Sequence, residues 1–270
     1  MKKLFNAIGI ISLVIISFVY TEKTMTVVRE YDDIMIEIRK QNNISKIDGI
    51  IEDDTIIPGI LERKININES YRRMKKIGFY NQELLVYEKQ DNKTSLKNNY
   101  DKYIISGNKS KNMISLIFIL DWNTNIENIK KIINRNEIEV SFVVDENWIS
   151  NNNELLNVLV KENHSIIIKE KNNFNWVNMI IQDVLKQNTF CYVNNKDNEI
   201  LNMCKNKKIN TILPIEIKNN YLIETKKYLD SGVLLSYKVS ENLEKNLDMI
   251  IKYIKNKGYT ISNIVEHLEE

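Results

Sequence analysis

Few side chains in this sequence have the chemistry of a catalytic or metal site. The chain has two histidines, His164 and His267, and two cysteines, Cys191 and Cys204. A catalytic zinc ion needs three protein ligands, and a hydrolytic triad needs a histidine between a nucleophile and a carboxylate. His267 lies three residues from the C-terminus, which leaves His164 for such a set. The composition therefore offers no convincing set of residues for hydrolysis.

Three carboxylates follow two apolar runs in the middle of the chain. Asp121 comes directly after Met113-Ile-Ser-Leu-Ile-Phe-Ile-Leu120, and Asp145 and Glu146 come after Val140-Ser-Phe-Val-Val144. Barrel enzymes place their catalytic groups where strands end, so Asp121 is a candidate catalytic residue. The alternative is that these carboxylates cap the helices that follow.

A β-α-β unit positions these carboxylates. Both runs are short, β-branched and continuous, which is typical of strands covered on both faces, and the roughly 20-residue connection can hold a crossover helix. Helices and strands then alternate up to a last strand at Tyr259-Thr-Ile261 and a short helix from Ser262. This alternation predicts a parallel sheet, open or closed, with helices outside it.

The strands also resemble a known family. The β-α-β unit and the segment from Leu155 to His164 look like the opening of the polysaccharide deacetylases, carbohydrate esterases with a deformed β/α barrel. Near the C-terminus, Ile254-Lys-Asn-Lys-Gly-Tyr-Thr-Ile-Ser262 is similar to the family's closing Leu-Lys-x-Lys-Gly-Tyr-x-Phe-Val-Thr. The resemblance implies a barrel of this type over residues 113–270.

The metal positions of that family are changed in this chain. Family members remove acetyl groups from glycans with a divalent metal held by one Asp and two His. Ile117-Phe-Ile-Leu120 stands where the family has Thr-Phe-Asp-Asp, which supplies the base and one ligand. Lys169 and Asn173 stand in place of the two metal histidines. We therefore expect neither a metal nor another cofactor. The alternative is that Asp121 is a shifted version of the missing Asp and hence a candidate catalytic residue.

At the remaining family motifs, this chain keeps the strand residues but not the residues that carry the chemistry. Phe190-Cys-Tyr-Val-Asn-Asn195 aligns with Phe-Arg-Pro-Pro-Tyr-Gly, without the Arg and prolines. Leu234-Leu-Ser-Tyr237 aligns with Leu-Leu-His-Asp, and neither Ser236, Tyr237 nor Lys238 replaces the histidine as an acid of suitable pKa. His164 matches a family histidine that is not a ligand, so we expect it at a helix-to-strand corner.

Aromatic residues suggest a glycan-binding role for the altered barrel. Trp122 follows the first strand and Trp148 the second, on the side of the family's groove, and Trp176 opens a helix nearby. Aromatic faces pack against sugar rings, so Trp122, Trp148 and His164 form a candidate glycan-binding groove. The alternative is that the tryptophans fill the space of the lost metal site as ordinary core.

The N-terminus has the pattern of a membrane anchor. Leu4 to Tyr20 is uncharged and mostly apolar over about 17 residues, the short end of a membrane span. Lys2 and Lys3 favour the cytoplasmic side for the N-terminus, which predicts an extracytoplasmic location for the remaining chain. We predict a signal-anchor over residues 1–24, with a cleaved signal peptide or a buried segment as alternatives.

Composition and charge limit the classes of partner that the chain could bind. The 38 basic and 36 acidic residues are spread along the chain, so a nucleic acid is not an expected partner.

Short β-branched runs and one helix predict a small α+β module over residues 25–92, and the Asn-, Lys- and Ser-rich stretch predicts a linker over residues 93–112. We expect Cys191 and Cys204 to be buried free thiols, with a disulfide possible where their Cβ atoms meet.

Together these features predict a single-pass, bacterial-type membrane protein with a polysaccharide-deacetylase-like barrel outside the cytoplasm. The lost site residues indicate a catalytically inactive pseudoenzyme that binds a glycan or acts as a scaffold in the cell envelope. Two alternatives stay open. One is an active carbohydrate deacetylase, a hydrolase of C–N bonds other than peptide bonds, with a non-standard site. The other is a protein-interaction module without a glycan contact.

Overall fold

The chain forms two compact units. The computed structural model describes residues 2–30, 32–41, 46–61, 64–88, 94–169 and 172–270. The small unit consists of residues 1–46 and 62–90, and the large unit of residues 47–61 and 91–270. The structure therefore divides the chain differently from the predicted module, linker and barrel, because residues 47–61 and the predicted linker belong to the large unit.

The small unit is mainly helical. It contains α1 (Lys2–Glu30), α2 (Asp33–Lys40), α3 (Ile67–Lys75) and a short 3-10 helix (Gln82–Leu84). Its core is a cluster of buried side chains from α2, α3 and the segments beside them: Ile34, Met35, Ile38, Ile65, Tyr71 and Met74. The side chain of Asn66 caps α3 by accepting a hydrogen bond from the backbone N–H of Glu69 at 3.0 Å.

Helix α1 contains the apolar run that we predict to be a membrane anchor. The side chains of Ile10, Leu13 and Phe18 are exposed. None of the helices in the described residues combines the length and the apolar character that crossing a membrane requires. The predicted transmembrane segment over residues 4–20 is therefore not confirmed.

The large unit contains one sheet. In the described part of the chain, eleven strands pair in the order β1-β2-β3-β8-β7-β6-β5-β4-β10-β9, and β11 pairs with β4. The strands are β1 (Ile50–Glu52), β2 (Thr55–Ile57), β3 (Tyr103–Ile104), β4 (Met113–Ile119), β5 (Ser141–Val144), β6 (Ser165–Ile168), β7 (Cys191–Tyr192), β8 (Thr211–Ile212), β9 (Ile215–Ile217), β10 (Leu234–Lys238) and β11 (Thr260–Ile261). Apart from the β1–β2 hairpin, the pairs between these strands are parallel. The predicted parallel sheet is confirmed.

Helices connect these strands along the chain. They are α4 (Glu127–Arg135), α5 (Glu146–Asn151), α6 (Asn153–Lys161), α7 (Phe174–Met179), α8 (Asn198–Asn206), α9 (Tyr221–Tyr228), α10 (Glu241–Asn256) and α11 (Ile264–His267). A π-helical turn (Ile180–Val184) continues α7, and 3-10 helices (Leu96–Asn98 and Lys109–Lys111) precede β4. The β-α alternation around a curled sheet fits the deformed β/α barrel that we predict.

Strand β4 has a buried cluster on each face. Ile114, Leu116 and Phe118 belong to the cluster that includes the helices, whereas Ile117 and Ile119 belong to a second cluster on the other face. The alternation follows from the pleat, because successive side chains of a strand point to opposite faces. The outer cluster lies under the helices and the inner cluster lies inside the curled sheet.

The predicted linker contributes a strand to this sheet. Tyr103 and Ile104 form β3, which lies between β2 and β8, and both side chains are fully buried. The β1–β2 hairpin before it is closed by a tight approach at Gly59, where an added Cβ would lie 2.4 Å from the carbonyl oxygen of Ile47. Burial of two apolar residues outweighs the polar composition around them, so this part of the predicted linker belongs to the sheet.

A disulfide joins Cys191 and Cys204, so our expectation of free thiols is wrong. Cys191 on β7 belongs to the outer cluster, and α8 brings Cys204 into the same cluster with a Cα–Cα distance of 6.5 Å. The bond closes a short loop, from a strand through its following helix. Disulfides persist in oxidising compartments and are rare in the cytosol.

Replacing both cysteines, Cys191→Ser with Cys204→Ser, is expected to lower the free energy of unfolding of the large unit by about 3 kcal/mol, because the short loop becomes free in the unfolded chain. The three tryptophans lie in this unit, so denaturant titration followed by tryptophan fluorescence reports on it. Under reducing conditions the variant and the natural chain should differ much less. Two titratable thiols in the native, unreduced protein would contradict the assignment.

Candidate functional site

Apolar side chains occupy the inside of the sheet, where the resemblance would place a metal site. Ile117, Ile119, Val143 and Ile167 lie in the inner cluster and are buried. In register, Ile119 pairs with Val143 on β5 and with Lys238 on β10. Divalent metals need nitrogen, oxygen or sulfur ligands. The residues at this position therefore do not fit a divalent cation.

The polar groups near this position do not form a ligand set. Among the residues that the structure describes, no three His, Cys, Asp or Glu side chains converge. Tyr192 lies in the inner cluster, and burial raises its pKa to about 12, which keeps the phenol neutral near pH 7. Lys169 and Asn173 are exposed after β6, and the Asn173 amide donates a hydrogen bond to Glu146.

The candidate catalytic residue Asp121 forms an ion pair. Its carboxylate lies 2.7 Å from Nζ of Lys238, at the C-terminal ends of the neighbouring strands β4 and β10. The hydrogen bond to Asp121 raises the pKa of Lys238, so this lysine stays charged. The carboxylate of Asp121 is thus already engaged by Lys238, with which a substrate would have to compete.

Trp122 is presented on a closed turn directly after β4. The backbone N–H of Thr124 donates to the carbonyl of Asp121 at 2.9 Å, and the Thr124 hydroxyl accepts from the Asp121 N–H at 2.8 Å. These bonds fix the loop, and the Trp122 side chain is 63% exposed. The turn therefore holds a large aromatic face in water, where it does not contribute to the core.

A polar cleft of about 420 Å³ lies beside this tryptophan. It is lined by Trp122, Asn123, Thr124, Asn125, Ile126, Glu127, Asn151, Asn152 and Leu155. The lining comes from the β4–α4 loop and from the junction of α5 and α6, so it lies beyond the C-terminal ends of β4 and β5. Asparagine amides supply both donors and acceptors, which is the chemistry that a sugar hydroxyl needs.

Trp148 and His164 do not share this cleft. Trp148 is fully buried in the outer cluster, and its backbone N–H donates to Asp145, which caps α5. His164 is buried before the N-terminal end of β6, whereas Trp122 follows the C-terminal end of β4. These ends are opposite in a parallel sheet. The structure thus does not assemble the groove that we predict from Trp122, Trp148 and His164.

His164 has the surroundings of a structural residue. Its Nδ1 accepts from the backbone N–H of Val140 at 3.3 Å, and its ring meets Phe142 edge-on at 5.6 Å between centroids. Burial lowers the pKa of His164, although Glu162 opposes the shift. The neutral ring fills a corner between α6 and β6, as we expect from its position in the sequence.

Sequence reasoning missed a polar layer at the N-terminal end of the sheet. Ser115, Ser141 and Ser165 lie on the neighbouring strands β4, β5 and β6 and contact the C-terminal segment. Ser141 accepts from the backbone N–H of Ile264 at 2.9 Å, and Ser165 donates to Asn263 at 2.9 Å. A serine near the start of each strand was the signal in the sequence.

The same layer brings Ser115 within 2.8 Å of Nδ1 of His267. The Ser115 hydroxyl donates its single proton to the carbonyl of Ser262 at 3.0 Å, so the ring N–H donates to Ser115. A general base would have to accept that proton instead. Both side chains are fully buried, and an added Cβ at Gly107 would lie 2.4 Å from the ring, which leaves no room for a substrate.

His267 should make the large unit sensitive to acid. Burial lowers its pKa from 6.5 to about 3, so between these values the unfolded chain binds a proton that the folded chain does not. This histidine's contribution is fully present above about pH 6.5 and falls by about 1.4 kcal/mol for each pH unit below it. Denaturant titrations at pH 7 and pH 5 should show a smaller loss in His267→Gln than in the natural chain. Equal losses would contradict the assignment.

The comparisons with known proteins come from sequence and from structure. No sequence-family model matches the chain. The uncharacterized protein YlxY of Bacillus subtilis (strain 168) is 29% identical over 131 residues, which cover 48% of this chain and 40% of YlxY. The chain thus matches less than half of the length of that relative, and its name assigns no activity.

Solved structures give broader coverage. BA3943, a CE4 family pseudoenzyme from Bacillus anthracis, has a TM-score of 0.65 at 19% identity, over 88% of this chain and 96% of that chain. A BA3943 mutant with restored enzymatic activity has a TM-score of 0.64 at 18% identity, over 88% and 99%. PdaA of Bacillus subtilis, a family 4 carbohydrate esterase, has a TM-score of 0.50 at 16% identity, over 67% and 90%. This chain therefore has the fold of the family 4 carbohydrate esterases, and the predicted resemblance to the polysaccharide deacetylases is confirmed at the level of the fold.

Proposed function

We propose that this protein is a catalytically inactive member of the deacetylase fold that binds a glycan of a bacterial-type cell envelope. The observation that carries the glycan part is Trp122, an exposed aromatic side chain on a closed turn beside a cleft lined with asparagines. Exposed aromatic faces with nearby amides suit the apolar faces and hydroxyl groups of sugar rings.

The inner cluster supports the lack of catalysis. Ile119 occupies the position of the family's base, and Val143 pairs with it on the next strand. A carboxylate or histidine in such surroundings would lose its hydration without gaining a partner, which costs several kcal/mol. The name of BA3943 as a pseudoenzyme gives a precedent for an inactive protein with this fold.

The cleft lies at the rim of the sheet, so binding there does not depend on the residues inside the sheet. Trp122 lies in the β4–α4 loop, and Asn151 and Asn152 lie at the junction of α5 and α6. Ile117 and Ile119, in contrast, lie inside the sheet. Loops at the C-terminal ends of strands vary independently of the scaffold beneath them. A glycan contact in the loops therefore does not require the metal-holding residues that this chain lacks.

We further propose that the protein works outside the cytoplasm and is held at the cell membrane through residues 4–20. The disulfide supports an oxidising compartment, and the two lysines before the apolar run support this orientation. Resistance of the full chain to extraction of membranes with alkaline carbonate would support the anchor. Complete release by that treatment would count against it.

Isothermal titration with Zn²⁺, together with an assay for acetate release from N-acetylated glycan oligomers, tests the lack of catalysis. We expect neither micromolar metal binding nor acetate release, because Lys169 and Asn173 replace the two metal histidines and the apolar segment Ile117-Phe-Ile-Leu120 replaces the segment with the ligand Asp. A family enzyme with its metal serves as the positive control. Zinc binding with acetate release would favour the alternative of an active deacetylase with a non-standard site.

Trp122→Ala is expected to weaken binding of N-acetylglucosamine oligomers about fivefold, since a stacked aromatic ring contributes roughly 1 kcal/mol. Trp176→Ala is the matched control, because Trp176 on α7 is also exposed, at 37%, and does not line the cleft. Equal binding by both variants would overturn the assignment of this cleft. If the natural chain binds no glycan, the alternative of a protein partner would be favoured.

A further inference from the structure

The end of helix α3 in the small unit combines clustered positive charge with exposed apolar side chains. Arg72, Arg73, Lys75 and Lys76 lie on its exposed side, whereas Tyr71 and Met74 lie in the core. Glu69 accepts from both arginines and offsets part of their charge. The four basic side chains outnumber this carboxylate, so the surface is basic.

The exposed apolar side chains lie on the turn that follows α3. Gly78 adopts a left-handed conformation with φ +80° and ends the helix, as its backbone N–H bonds to the carbonyl of Met74 at 3.0 Å. A hydrophobic residue after such a glycine commonly packs back on the last helical turn. Phe79 is instead 60% exposed, and Ile77 before the glycine is 42% exposed.

A cleft of about 600 Å³ lies beside the same basic side chains. It is lined by Asn66, Asn68, Glu69, Tyr71, Arg72, Lys75 and Lys76. Lys75 donates to the Tyr71 hydroxyl at 2.9 Å, which in turn donates to Asp32 at 3.0 Å, so part of this lining is fixed in place. Three basic side chains and one carboxylate, Glu69, line this cleft, and this excess of positive charge suits a phosphate with its polar substituent.

We propose that the small unit docks on an anionic phospholipid surface through this basic turn, defined as Arg72, Arg73, Lys75, Lys76, Ile77 and Phe79. The basic side chains contact the phosphates, and Phe79 enters the boundary between headgroups and acyl chains. Aromatic residues are favoured at that boundary, and nearby lysines and arginines attract anionic lipids. Exposed apolar residues of α1 in the same unit make a lipid surface a better match than a soluble polyanion.

This surface is separate from the proposed anchor at residues 4–20, and the experiment must distinguish the two. We would attach an environment-sensitive NBD fluorophore to Phe79→Cys in the full chain, with the native disulfide kept oxidised. Vesicles of phosphatidylcholine alone are compared with vesicles that also contain phosphatidylglycerol. Sedimentation reports attachment by any route, whereas the fluorophore reports what happens at position 79.

The expected result is a blue shift and a rise of NBD emission on the phosphatidylglycerol vesicles, with little change on phosphatidylcholine. Adding Arg72→Glu and Lys76→Glu should raise the lipid concentration for half of the signal at least about tenfold. Lys205→Glu with Lys207→Glu, on exposed residues at the end of α8 in the large unit, makes the same change of charge and should leave the signal in place.

Three results would overturn the proposal. The first is unchanged NBD emission on phosphatidylglycerol vesicles that carry the protein, which would leave attachment to α1 alone. The second is an equal loss of signal in both charge variants, since net charge rather than this turn would then decide binding. The third is the same emission change with a soluble glycerol-phosphate polymer in place of vesicles, which would assign the surface to a polyanion.

Discussion

Strand β4 pairs with β5, β10 and β11, and both of its faces have to be covered. Helices cover one face, and the inside of the curled sheet covers the other. On the inner face, Ile119 lies in register with Val143, and Val143 lies in register with Ile167, so apolar residues continue across three strands. Exchange of a single one for a carboxylate would bury an unpaired charge. The inner cluster is thus a core, and a polar site placed in it would lower the stability of the fold.

The inside of the sheet changes character along the strands. At the N-terminal ends of β4, β5 and β6, serines pair with the C-terminal segment, and each hydroxyl finds a partner on it. Further along, the side chains are apolar up to Ile119. At the C-terminal ends, the Asp121–Lys238 pair is in contact with water. These serines hold the last helix, and Tyr192 adds one more buried hydroxyl to the inside of the sheet. The polar groups exposed to a ligand at this end of the sheet therefore lie at its rim.

The sequence predicted β4, β5 and the helix between them because long apolar runs and helical spacing are strong local signals. It did not predict β3, since Tyr103 and Ile104 gain their stability from β2 and β8, far away in the chain. Strand β9 and helix α9 were not predicted either; β9 is short and pairs with β10. The pairing of Cys191 with Cys204 depends on a distance between β7 and α8 that spacing alone does not supply.

The two tryptophans after β4 and β5 show why the groove could not be read from residue types. Both follow a strand at its C-terminal end, yet Trp148 lies in the first turn of α5, where the cap by Asp145 directs that helix along the sheet and buries the ring. Trp122 lies on a turn closed by Thr124, and the β4–α4 loop leaves its ring uncovered. A buried tryptophan stabilises the fold by removing apolar area from water. An exposed tryptophan lowers solubility unless a ligand or partner covers it. This difference is why the glycan proposal depends on Trp122 and on none of the other predicted residues.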